Sequence, residues 1–308
     1  MENFSPFNAK RCYTLPFNHG LYQPGSTIMP LPFVLTPNLQ GGMELRIAEN
    51  TVVDKPIALI FSGRSESMHH RVILENGAKA TMIHAILDPQ AELKQQALHI
   101  DLSPRAELEF YHYQPELAEA VVHTHYFIHQ ETHSQLRGYY INLGGKSLET
   151  TISAQLKGEY AHLKLTGFYK ADHQQLVRQT LAIEHCASHT QSQQFYKGWA
   201  QARGQAYFDG KIVVAKGAQK VEAHQTNRNL LLSKTASVET KPQLEIYNDD
   251  VVCSHGATVG DLDEEALFYL QSRGVAYKTA RHILMEAFAN EIFNQLPESW
   301  FLGEVDHV

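Results

Sequence analysis

Apolar and polar positions alternate through the middle of the chain. Leu148, Thr150, Ile152, Ala154 and Leu156 share one side of an extended segment, and Ala161, Leu163 and Leu165 repeat the pattern, as do Ala206, Phe208, Ile212 and Val214. A period of two sends successive side chains to opposite faces of a strand. Residues 43–258 are therefore predicted to form short strands. Glycine-bearing turns are expected to separate them at Asn76-Gly77-Ala78, Leu143-Gly144-Gly145, Asp209-Gly210-Lys211 and Lys216-Gly217-Ala218. A turn residue, an alanine and alternating apolar positions recur from Gly77, Ser103, Gly158, Arg203 and Gly217. One such unit cannot bury its apolar face alone and must stack on its neighbours. The spacing suggests solenoid coils of about 20 to 25 residues. A parallel β-helix satisfies this pattern, and periodicity alone leaves a β-sandwich as the alternative.

The two ends read differently. Residues 1–42 are rich in proline, which is barred from helix interiors and central strands, so an extended lead-in is expected there. Residues 259–308 carry a helical pattern. Asp261 with Glu264 three residues later reads as an N-cap, giving a first helix over about Leu262–Arg273 that Gly274 terminates. A second helix is predicted from near Thr279 to Leu296, with Leu284, Phe288 and Ile292 four apart along an apolar stripe. That stripe packs either on the β-domain or on another protein.

Composition narrows the function. The net charge of -7 and the lack of a basic run argue against nucleic-acid binding. No apolar stretch approaches the roughly 18 residues of a membrane span, and no signal-peptide layout opens the chain, so a cytoplasmic protein is expected. Three scattered cysteines, Cys12, Cys186 and Cys253, exclude both a disulfide framework and a self-contained four-cysteine site. Gly144-Gly145-Lys146-Ser147 ends like a phosphate-binding loop, but Tyr140 stands where that motif requires glycine. His123, His125, His129 and His133 are closely spaced, as are Glu184, His185, Cys186 and His189. Solvent-facing strand or turn positions explain both groups better than a metal does.

The sharpest chemistry lies in Asp249-Asp250-Val251-Val252-Cys253-Ser254-His255-Gly256-Ala257-Thr258. Cys253 and His255 are two apart, so on a strand a sulfur and an imidazole leave the same face. As a catalytic dyad they have no identifiable orienting carboxylate beyond Asp249 and Asp250, which precede the strand and whose geometry the sequence leaves open. Two ligands are also too few to hold an iron-sulfur cluster, which usually takes four.

This run and its surroundings, from Val221 through Glu291, resemble the SufB/SufD family of the SUF iron-sulfur cluster assembly system, and within it the SufD branch. A weaker likeness covers Arg71 to Ala85 (RVILENGAKATMIHA). Cys12-Tyr13-Thr14-Leu15 resembles a neighbourhood that in SufD proteins follows an N-terminal helical segment, and the chain looks short ahead of it. The resemblance implies a mainly β protein: a right-handed parallel β-helix over 43–258 with a C-terminal helical domain over 259–308. It implies a non-enzymatic scaffold that pairs with a SufB-like paralogue and binds a SufC-like ABC ATPase through its C-terminal helices, with Leu284, Phe288 and Ile292 as the docking residues. Cys253 and His255 would be transient metal ligands at an assembly site shared with the partner, and no cluster would be held by this chain alone. A homodimer is left open. The competing readings are a β-helix enzyme acting on polysaccharide and a purely structural oligomerisation module.

Overall fold

A computed structural model describes residues 12–19, 21–23, 31–38 and 42–296. The described chain forms β1 (Tyr13–Asn18), β2 (Leu21–Tyr22), β3 (Val34–Pro37), β4 (Met43–Ile47), β5 (Ile57–Ser62), β6 (Arg64–Ser65), β7 (Met68–Leu74), β8 (Lys79–Ile86), β9 (Glu92–Leu102) and β10 (Glu107–Gln114). It continues with β11 (Leu117–Gln130), β12 (Gln135–Asn142), β13 (Gly145–Leu156), β14 (His162–Ala171), β15 (Leu176–His185), β16 (Gln191–Ala200), β17 (Gln205–Val214), β18 (Val221–Leu231), β19 (Ser237–Ile246) and β20 (Val251–Gly260), and ends in α1 (Glu264–Ser272) and α2 (Tyr277–Phe293). The strands divide into two sheets. One runs β2-β1-β5-β8-β10-β12-β14-β16-β18-β20, and the other runs β19-β17-β15-β13-β11-β9-β7-β4-β3 with β6 also on β9. Each coil places one strand in each sheet, and pairing between successive coils is parallel, so the fold is a parallel β-solenoid of about 7 turns.

The alternation seen in the sequence faces the interior. In β13 the buried positions include Leu148, Thr150, Ile152, Ala154 and Leu156, and in β17 they are Ala206, Phe208, Gly210, Ile212 and Val214. The coils are longer than the recurring motifs suggest. Lys79, Glu107, Gln135, His162, Gln191, Glu222 and Val252 lie side by side, so each coil spends 27 to 31 residues. Two strands of about ten residues plus two corners require that length, which the irregular spacing of the motifs concealed. Ala206, of the unit from Arg203, lies in β17 of the sheet that begins at β19, whereas the other four recurring alanines, Ala78, Ala106, Ala161 and Ala218, sit fully buried at one corner. Beside them Arg105, His133, Tyr160, His189 and Lys220 take positive φ values of 62, 58, 60, 59 and 52°. The backbone N–H groups of Arg105 and His133 donate to Thr132 and Glu159 on the following coil. The rings of His133, Tyr160 and His189 stack at 4.8 Å intervals along this edge.

Three further expectations are corrected. Asp209-Gly210-Lys211 is not a turn but the middle of β17, where Gly210 leaves room for the Gln225 side chain of β18. In the proline-rich lead-in, β1 is already part of the solenoid, pairing in parallel with β5 and burying Leu15 and Phe17. The N-cap of α1 is Asp263 rather than Asp261; its carboxylate accepts from the Glu265 and Ala266 N–H groups. Gly274, at φ 89°, closes α1 by donating to Gln271 O while Val275 N donates to Leu270 O, the two bonds of a Schellman ending.

α2 lies on the outer face of the β-strand sheet that ends in β20. Met285, Ala289, Ile292 and Phe293 pack there with Phe168 and Trp199. Lys197, buried beneath the helix, donates 2.8 Å to Phe288 O, pairs with the Glu291 carboxylate and lies 4.0 Å from the centre of the Phe288 ring. Arg281 adds a 2.7 Å bond to Leu232 O. A buried ammonium needs such partners, so they fix the seat of the helix. By contrast, α1 buries none of its residues fully.

Candidate functional site

β20 is the last strand of its sheet, paired on one side only, to β18. The register sets Cys253 beside Ala223, and His255 beside Gln225. Ala223 and Gln225 point into the solenoid and are fully buried. Cys253 and His255 thus continue the interior columns of the coil below, on a final coil whose inner face is open. The shared face expected from their spacing is there, and it is the face that lines the core everywhere else. Cys253 is half-buried against a small apolar cluster with Val221 and Ala223, whereas His255 is exposed. Burial pushes the Cys253 thiol above its usual range, partly offset by a hydrogen bond to the Ala223 backbone. An open end gives the imidazole access, while the sulfur remains a protonated thiol until something stabilises the thiolate.

The opposite face of the same two strands carries a pair that the sequence reading did not single out. His224 Nδ1 lies 2.7 Å from Ser254 Oγ and its Nε2 lies 3.2 Å from Glu222 Oε1. The signal was available in Glu222-Ala223-His224, whose outer residues share a strand face. These bonds occupy both ring nitrogens of His224, so it contributes nothing to the inner face. The Asp250 backbone shapes the corner leading into β20: its N–H donates to Asn248 Oδ1 and its carbonyl accepts from Lys220 N. Among the described residues no group of three or more histidine, cysteine, aspartate or glutamate side chains is arranged to hold a metal ion. The inner face of β20 therefore presents a thiol and an imidazole, and no third such side chain joins them among the described residues.

The other histidines are dispersed. His123 and His125 do share the outer face of β11, but each is bonded to a serine, Ser147 at 3.3 Å and Ser153 at 2.8 Å, while His129 pairs with Asp101 at 3.0 Å. His133 stands at a corner. His185 is interior, held by Thr190 and Ser192 at 2.8 Å each, and burial lowers its pKa to about 4; Cys186 and His189 lie outside the core. Along the C-terminal stripe Ile292 is fully buried, and Leu284 and Phe288 are half-buried. On the two helices the large apolar side chains left in solvent are Phe268 and Tyr269 of α1, 72% and 57% exposed, with Tyr277 and Ile283 of α2.

Fold and site together define a parallel β-solenoid protein with a thiol–imidazole pair on its terminal coil and a helix pair beside it. The family described as "SUF system FeS cluster assembly, SufBD core domain" matches residues 60–288, and the chain belongs to this SufBD family. It is 35% identical over 248 residues to the iron-sulfur cluster assembly protein SufD of Escherichia coli K12, covering 77% of this chain and 56% of that protein. It is 30% identical over 272 residues to the chloroplastic protein ABCI7 of Arabidopsis thaliana, covering 83% and 57%. A SufBD family protein of Synechocystis is 39% identical over 184 residues, covering 58% and 39%. The chain spans a little over half the length of the first two relatives. No helix among the described residues is long and apolar enough to cross a membrane.

Proposed function

We propose that this protein is a non-catalytic scaffold subunit for iron-sulfur cluster assembly, and that Cys253 and His255 form its half of a site completed by a SufB-like partner. The observation that carries this reading is the position of the two residues: soft and borderline donors on the inner face of an open terminal coil, too few to close a metal site alone. β19 and β20 each pair on one side only, so they offer unpaired backbone N–H and C=O groups to a second solenoid. A neutral imidazole binds iron more weakly than a thiolate and releases it again, which suits a cluster that is cargo rather than a resident cofactor. A SufC-like ATPase docks on the exposed aromatic face of Phe268, Tyr269 and Tyr277, with Leu284 and Phe288 at its margin and Ile292 supporting it from beneath.

The test is anaerobic reconstitution of the complex with its SufB-like and SufC-like partners, read by iron content and absorbance. His255→Ala is expected to remove most of the cluster yield while the complex still elutes intact in size-exclusion chromatography, and Cys253→Ser is expected to do less. Normal yield from the His255→Ala complex overturns the site.

A further inference from the structure

The interior column that ends at His255 changes character over its last three coils. It runs Leu165, Gln194, Gln225, His255, each beside the next in register. Gln194 and Gln225 are both 1% exposed, in a position that earlier coils fill with apolar side chains such as Phe110. Gln225 Nε2 donates 2.6 Å to Gln194 Oε1, which directs one end of the Gln225 amide back towards the coil below. Its other end, Oε1, is buried and has no hydrogen-bond partner; the same holds for Gln194 Nε2 on the coil below, so each amide of the pair keeps one end free. A buried amide oxygen without a donor is unfavourable, and a site that keeps one in a packed core needs a reason.

The opposing sheet is shaped around this amide. A Cβ on Gly210 would stand 2.3 Å from Gln225 Nε2 and 2.8 Å from Oε1, so any side chain there drives the amide out of place. Glycine in mid-strand weakens the strand, and here close approach by Gln225 accounts for it. Asn229 secures the strand above by donating to Thr258 O of β20 at 3.3 Å, and its neighbour Asn227 is tied to Tyr169 Oη at 3.0 Å. The amide is thus held in place from below and from the side, and the next rung on its column is His255.

We infer that Gln225 is a positioning residue for His255: the imidazole, exposed and not bonded to Gln225 in this structure, turns inward so that its N–H meets the free amide oxygen on the rung below, which selects one tautomer and leaves the other ring nitrogen, with its lone pair, facing the open end of the solenoid. Ligating histidines are commonly fixed by an acceptor on their second nitrogen. The role of His255 as a ligand rests on the function proposed above, but its tautomer does not, and the test separates the two.

In the full chain without partners, nitrogen-15 spectra of labelled histidines report the tautomer of His255, assigned by the signal lost in His255→Ala. A single dominant tautomer is expected, lost in Gln225→Leu and retained in Gln225→Glu, which keeps an oxygen acceptor at the same reach. Gly210→Ala displaces the amide without altering it and should scramble the tautomer as well, providing a second route if Gln225→Leu does not fold. In the reconstituted complex, Gln225→Leu is expected to lower cluster yield roughly tenfold, the lower end of what loss of such an acceptor costs a metal site. An unchanged His255 tautomer in folded Gln225→Leu or Gly210→Ala chains overturns the inference whatever the yield. A scrambled tautomer combined with normal yield in His255→Ala leaves Gln225 as the positioning residue and removes the proposed site instead.

Discussion

Two regions of the same interior hold histidines, and they show opposite behaviour. In the middle coils His84 and His112 lie one above the other with their Nδ1 atoms 3.1 Å apart, and Tyr126 Oη sits 2.8 Å from both. His112 Nε2 reaches Asn142 Oδ1 at 3.1 Å. These rings have coils above and below them and are completely enclosed. His255 occupies the adjacent column at the solenoid's end, with a coil on one side only. The residue type is the same; what differs is whether another coil follows. The sealed histidines are core, and the open one is available for chemistry.

The largest way to expose this contrast is acid. Burial lowers the pKa values of His70, His112 and His185 to about 4 and holds His84 well below its usual range. Between about pH 6.5 and 4 the unfolded chain therefore binds more protons than the folded one. Stability is fully present above pH 6.5 and falls as the pH drops towards 4, by on the order of 3 kcal/mol for each of the three histidines at about 4. Denaturant melts at pH 7, 6 and 5 check it. A midpoint unchanged across that range would show that the enclosed imidazoles are not kept neutral by burial.

A smaller effect separates the two helices. Ile292→Asp places a carboxylate among Met285, Ala289 and Trp199 and is expected to cost roughly 3 kcal/mol, read as a lower melting temperature. Phe268→Asp, in solvent, should leave the melting temperature unchanged and weaken capture of the proposed SufC-like ATPase. Equal destabilisation by both would mean that α1 is packed as firmly as α2.

The smallest effect belongs to the open end itself. Because its ring is exposed, His255→Ala is expected to change stability by no more than about 0.5 kcal/mol. A loss comparable to that of Ile292→Asp would make His255 a structural residue and erase the distinction drawn here.

Much of this was legible in the sequence, for a physical reason. Strand alternation is local, so the inward residues of β13 and β17 were identifiable, as was the common face of Cys253 and His255. What escaped was information carried by other coils. Asp209-Gly210 has the chemistry of a turn, and only Gln225 on the neighbouring strand explains a glycine in mid-strand. The Leu284, Phe288 and Ile292 stripe shows that α2 needs a partner but not which one, because Phe168 and Trp199 lie about a hundred residues away in sequence. The openness of the terminal coil is likewise a property of what does not follow in space, and no local pattern encodes it.

The stacked corners carry an evolutionary consequence. Each coil hands its neighbour a fixed register and a left-handed corner residue, so deleting one residue from a strand turns its core face to solvent. Removing a whole coil of 27 to 31 residues instead rejoins matching ends. Homologous solenoids should therefore differ in length by whole coils, with single-residue gaps confined to corners. Residues that meet on the last four coils, from Phe168 and Trp199 under α2 to His255 at the tip, stay together through any such change upstream. On this geometry the end that carries α2, Cys253 and His255 would be inherited as a block, with whole coils gained or lost behind it.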